Sequence, residues 1–151
     1  MIRDSIQQAQ VAAMKGGDKP RLAAIRLIMS TVKNRDIEAR TGKAPADDDV
    51  LVTEVLGKMI KQRRESIAMY EQGGRQELAD VEAGEIAVIE GFLPRQMSED
   101  EAASAIDAIV TETGASSVKD MGRVMALVKE RHAGAMDMSK ASALVKARLS
   151  Q

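Results

Sequence analysis

Five charged residues stand where apolar ones are expected. With 100° per residue on a helix, Glu82 and Glu85 flank Ile89 on the apolar line that Leu78 begins. Arg63 lies one heptad after Leu56 and one before Tyr70, again on an apolar stripe. Arg26 and Lys33 lie close to the line joining Leu22 and Met29. Cations from two helices and anions from a third are thus aimed inward together. An unpaired buried charge is very costly. The first reading is therefore a partly buried ion-pair network joining Arg26, Lys33 or Arg63 to Glu82 and Glu85, which can fix helix register. The functional alternatives are a paired-carboxylate acid/base or metal site, or a ligand pocket. A di-metal site in a bundle wants Glu-x-x-His from facing helices; here the spacing is Glu82-x-x-Glu85 with no histidine near. No catalytic residue, metal or cofactor is assigned.

A second chemistry is phosphate binding. Lys58, Lys61 and Arg64 recur every three residues along one helix flank, a pattern able to hold phosphates. The competing reading is a solvated face, with Glu54, Glu65 and Glu71 near enough for pairing one turn away. Lys33, Arg35, Arg40 and Lys43 add cations on the preceding helix, diluted by Asp36 and Glu38. Gly73-Gly74-Arg75 either presents backbone N–H groups to an anion or is a plain helix–helix turn. Met121 and Met125, four apart, are core or a soft partner surface. His132, the one histidine, suits a helix C-terminus.

These groups need helices to position them, and the composition supplies helices. The 151 residues include 44% hydrophobic and 30% charged residues, with strong helix formers dominant and 1% aromatic. So few rings exclude base stacking as a main binding mode. Cysteine is absent, which excludes disulfides and thiolate chemistry. The net charge of −1 excludes a strongly basic coat protein but leaves room for a local patch. No apolar run is long enough to span a membrane, and Met1–Ile6 does not read as a secretory signal; a cytoplasmic protein is expected.

Helical spacing predicts helices from about Ile2 to Met14, from Asp18 to Arg40, from Asp47 to Gln72 and from Gln76 to Phe92. Their apolar stripes include Ile37 on the second and Val81 on the fourth. Gly16-Gly17 and Gly73-Gly74 separate them. Asp18 is expected to cap the second, with Pro20 in its first turn. Leu93-Pro94-Arg95-Gln96 reads as a boundary between a four-helix bundle (1–95) and a small three-helix domain (96–151). In the second part, Ser98 with Glu101, Ser117 with Asp120, and Asp137 open three helices, broken at Gly114 and Gly134. The fold class is all-α.

Seven stretches together resemble the GatB/YqeY family, which joins stand-alone YqeY-like proteins to the tail of the GatB subunit of the tRNA-dependent amidotransferase. They are Arg26-Leu27 with Lys33-Asn34 and Ile37-Glu38; Lys61-Gln62-Arg63-Arg64-Glu65-Ser66-Ile67; Gly73-Gly74-Arg75-x-Glu77-Leu78-Ala79; Glu82-x-x-Glu85-Ile86; Leu93-Pro94-Arg95-Gln96; Lys119-Asp120-Met121-Gly122-Arg123-Val124-Met125; and Val145-Lys146-x-x-Leu149. One departure is Gly134-Ala135-Met136-Asp137, where the family usually has Gly-Arg-Ala-Asp. The resemblance implies a larger N-terminal helical bundle, a small C-terminal domain and a tRNA-associated accessory role; the cations read above from their spacing, Lys58, Lys61, Arg64, Lys33 and Arg75, are the candidate RNA contacts. The family label of carbon–nitrogen ligase with glutamine as amido donor describes the larger enzyme. The alternative is a protein–protein adaptor that uses the C-terminal domain.

Overall fold

Asp18 starts the longest stretch of order near the N-terminus: its carboxylate accepts from the Arg21 N–H at 3.2 Å, and Pro20 sits in the first turn, where a missing N–H costs nothing. The same local chemistry recurs along the chain. Asp47 accepts from the Asp49 N–H, Ser98 and Glu101 form a reciprocal capping box, and Asp137 accepts from the Ser139 and Lys140 N–H groups. Gly17 and Gly114 close their helices at φ 68° and 67°, the left-handed conformation that suits glycine.

The computed structural model describes residues 1–45, 47–132 and 134–150. These hold seven α-helices and no strand: α1 (Ile2–Gly16), α2 (Lys19–Ala39), α3 (Asp48–Gln72), α4 (Gln76–Glu90), α5 (Glu99–Thr113), α6 (Met121–His132) and α7 (Met138–Leu149). A single 3-10 turn, Val118–Asp120, leads into α6. No helix among the described residues is long and apolar enough to cross a membrane.

The chain divides into two compact units, Met1–Leu93 and Pro94–Gln151. In the first, α3 packs against α4, α1 and α2 around Ile25, Ile28, Val52, Leu56 and Ile89, which are closed to solvent. In the second, α5, α6 and α7 enclose Ile106, Ile109, Val124, Val128 and Val145. Met121 and Met125 pack against that core, half-buried, and Met136 is buried in it. The departure at Met136 therefore fills core volume. Its loop is tied down by the Met97 N–H, which donates to the Ala135 carbonyl, and by the Gln96 amide, which donates to that of Gly134.

Two expected stripe residues are exposed instead. Val81 gives way to Ala79, which with Ile89 is buried on α4. Val81 lies about 200° round the helix from Ala79 and so faces solvent. Ile37 lies about 120° round α2 from Ile25 and is likewise outside the packed face.

Candidate functional site

Arg63 on α3 reaches two carboxylates of α4. Its Nε donates to Glu85 at 2.8 Å and lies 3.8 Å from Glu82, and its Nη1 donates to the Met59 carbonyl at 3.3 Å. The Arg63 side chain is only 12% exposed, Glu82 24% and Glu85 31%. The α3–α4 hairpin positions all three, because Glu82 and Glu85 sit a turn apart beside Ile86 and Ile89 on the packed side. Each charge is met, so the arrangement ties two helices together. No group of three His, Asp or Glu side chains among the described residues is placed to hold a metal.

Arg26 is not part of this cluster, and Lys33 is not either. Both are exposed on α2. The buried face of α2 is Ala24, Ile25, Ile28 and Val32. Arg26 and Lys33 lie about 100° and 80° from Ile25, so the Leu22–Met29 line marks an edge of the buried face and not its centre.

The other candidate contacts are all exposed but do not form one cluster. Lys58, Lys61 and Arg64 occupy the solvent side of α3, each turned about 60° from the last. Arg64 meets Glu90 at 3.4 Å, in an exposed pair. Lys58 and Lys61 are in no ion pair among the described residues. Arg75 begins α4 and is paired with Glu77 at 2.7 Å. That contact holds the Glu77 carboxyl below the ordinary glutamate range.

A second arginine clasp has no counterpart in the sequence reading. Arg3 on α1 donates to both oxygens of Asp36 on α2, at 2.9 and 3.0 Å. It donates also to both oxygens of Asp48 on α3, at 3.1 and 2.8 Å. The neighbouring Ile2 N–H donates to Asp49 at 2.9 Å. Hydrogen bonds from Arg3 hold the Asp48 carboxyl below the usual aspartate range and push the guanidinium pKa up. Arg3, Gln7, Ser30, Lys33 and Asp36 line an open groove between α1 and α2. A signal was present: Asp36 lies about 20° from Ile25 on α2, as much a charge on an apolar stripe as Glu82 is on α4.

The described residues thus form an all-helical chain of two compact units. Over residues 3–149 it matches the Yqey-like protein family, and the chain belongs to that family. Among curated proteins it is similar to "Altered inheritance of mitochondria protein 41, mitochondrial" of Kluyveromyces lactis, 32% identical over 88 residues, which are 58% of this chain and 46% of that protein. The protein of the same name in Eremothecium gossypii is 33% identical over 110 residues, 71% of this chain and 58% of that one. That of Saccharomyces cerevisiae (strain YJM789) is 26% identical over 125 residues, 79% and 64% of the two. The chain spans about half the length of the curated relatives it matches.

Proposed function

We propose that this chain is a non-catalytic accessory module that grips tRNA, or an RNA folded like it, through phosphates. The observation that carries the reading is the pair Lys58 and Lys61, exposed on α3 and free of ion pairs among the described residues, with Arg64 beside them. Cations free of internal partners can release counterions from a phosphate backbone. The resemblance to the amidotransferase tail supplies the RNA class. In this reading the carbon–nitrogen ligase chemistry belongs to the larger enzyme, and the module needs no cofactor. Its boundary is placed near residue 95, so that the helices before it carry the grip. The proposed setting is the cytoplasm. The yeast relatives carry a mitochondrial name, and fractionation of a tagged chain decides between the two.

The test is tRNA binding by the purified chain across a salt series, beside the variant Lys58→Glu/Lys61→Glu/Arg64→Glu. Binding should weaken with salt, and the variant should bind more weakly with a flatter slope. No binding at low salt rejects the proposal. A pull-down insensitive to RNase and lost on deleting residues 97–151 would put a protein partner in place of the RNA.

A further inference from the structure

The two cations misplaced by the sequence reading belong to a longer row. Lys19, Arg26, Lys33 and Arg40 follow one another at seven-residue steps along α2 and its C-cap. A heptad step on a straight helix drifts by only about 20°, so the four share one side. At 1.5 Å per residue they stand about 10 Å apart and cover about 31 Å. All four are exposed. None takes part in an ion pair among the described residues. Asp36, the acid nearest the row on α2, is already held by Arg3, and Glu38 lies on the far side of the helix, about 140° round from Lys33. The exposed cations of α3 contrast with this, because Glu54 and Glu65 are interleaved among them.

We propose that this row on α2 is a docking ridge for the phosphate backbone of double-helical RNA. The inference rests on the RNA-binding reading and moves its principal contact from α3 to α2. A straight row of cations on a stiff helix matches charges carried by a stiff scaffold. A single strand would need stacking platforms, and the two aromatic side chains are engaged elsewhere. Phe92 packs on the core, and Tyr70 is half-buried on α3. A lipid surface would need a broad apolar face to insert, and the packed face of α2 is enclosed in the bundle, leaving Leu27 and Ile37 as isolated exposed apolar side chains of that helix. Beside Lys33, the groove offers Ser30 and Gln7. Such neutral hydrogen-bonding groups suit the 2′-hydroxyls of a shallow RNA minor groove.

The experiment measures binding of the full chain to a blunt RNA duplex, the same sequence as single strand, and vesicles containing phosphatidylserine, each across a salt series. Arg26→Gln/Lys33→Gln and Lys19→Glu/Arg26→Glu/Lys33→Glu/Arg40→Glu are compared with Lys58→Gln/Lys61→Gln and with a charge-matched pair elsewhere, Lys129→Gln/Lys140→Gln. Circular dichroism checks that each variant keeps its helix content. The double neutral variant should lose about tenfold in duplex affinity at low salt, and its log–log salt slope should fall by about 2. The fourfold reversal should abolish binding. Equal loss in the Lys129/Lys140 control would make the effect one of net charge and overturn the ridge. Loss confined to Lys58→Gln/Lys61→Gln would overturn the ridge and leave the RNA-binding reading standing. Wild-type chain that ignores both RNAs overturns both. Preference for single strand, or ridge-dependent binding to the vesicles alone, also overturns the ridge.

Discussion

Two arginines each gather two carboxylates from other helices, and they do it differently. Arg63 is deep but loosely bonded: one close contact to Glu85 and a longer one to Glu82, with the side chain 12% exposed. Arg3 is shallower, 32% exposed, and makes four hydrogen bonds in two forked pairs. Depth raises what is lost when a charge is orphaned; forked geometry raises what is gained while the clasp is intact, but water screens part of that gain. Burial and bond count are therefore separate guides to importance, and in this bundle they point to different residues.

The largest effect should come from the deep clasp. Arg63→Ala is expected to cost about 2 kcal/mol, short of the figure for fully enclosed pairs because Glu82 and Glu85 retain some solvent. Urea denaturation measures it. Arg63→Met/Glu82→Gln/Glu85→Leu should recover most of the loss, since it leaves neither carboxylate orphaned; no recovery would mean that the bond, and not the desolvation, carries the cost.

Arg3→Ala should cost about 1 kcal/mol after screening, read by the same denaturation, with the loss of exchange protection concentrated in α1. If it costs more than Arg63→Ala, bond count outweighs depth.

Acid probes the Arg3 clasp in a second way. Asp48 has its folded pKa depressed by Arg3, below an unfolded value of about 3.9. The stabilisation it brings is complete above that value and is lost as pH falls through the depressed one. Thermal unfolding of wild type and Asp48→Asn should therefore converge in strong acid, diverge as pH rises towards about 4, and keep a constant gap above it. A constant gap from strong acid to about pH 4 would contradict the assignment.

The smallest effect is expected from a contact within one turn. Ser98→Ala removes the side-chain half of the α5 capping box and should cost about 0.5–1 kcal/mol, read by urea denaturation at neutral pH.

The same contrast explains what could be read from residues alone. The caps at Asp18, Ser98 and Asp137 join atoms two or three positions apart, so residue type and spacing suffice. The heptad from Leu56 to Arg63 is likewise a relation within one helix. Arg3 meets partners 33 and 45 positions away on two other helices, and no local spacing states that. Arg26 and Lys33 were misread for a different reason. Leu22 and Met29 are only half-buried, so a stripe drawn through them is rotated from the true inner face of Ile25, Ile28 and Val32. The candidate RNA contacts depend on which cations lack acidic neighbours across helices, which becomes visible only when the helices are packed.

The distance in sequence between Arg3 and Asp48 also sets an order of events during synthesis. At about 5–20 residues per second, the first turn of α3 follows Arg3 from the ribosome by several seconds. During that interval α1 can already lean on α2, through the hairpin that Gly17 turns, but its leading end has only Asp36 to hold. The N-terminal turn of α1 is thus fastened only after α1 and α2 have met, yet before the Arg63 clasp, because Glu85 leaves the ribosome later than Asp48.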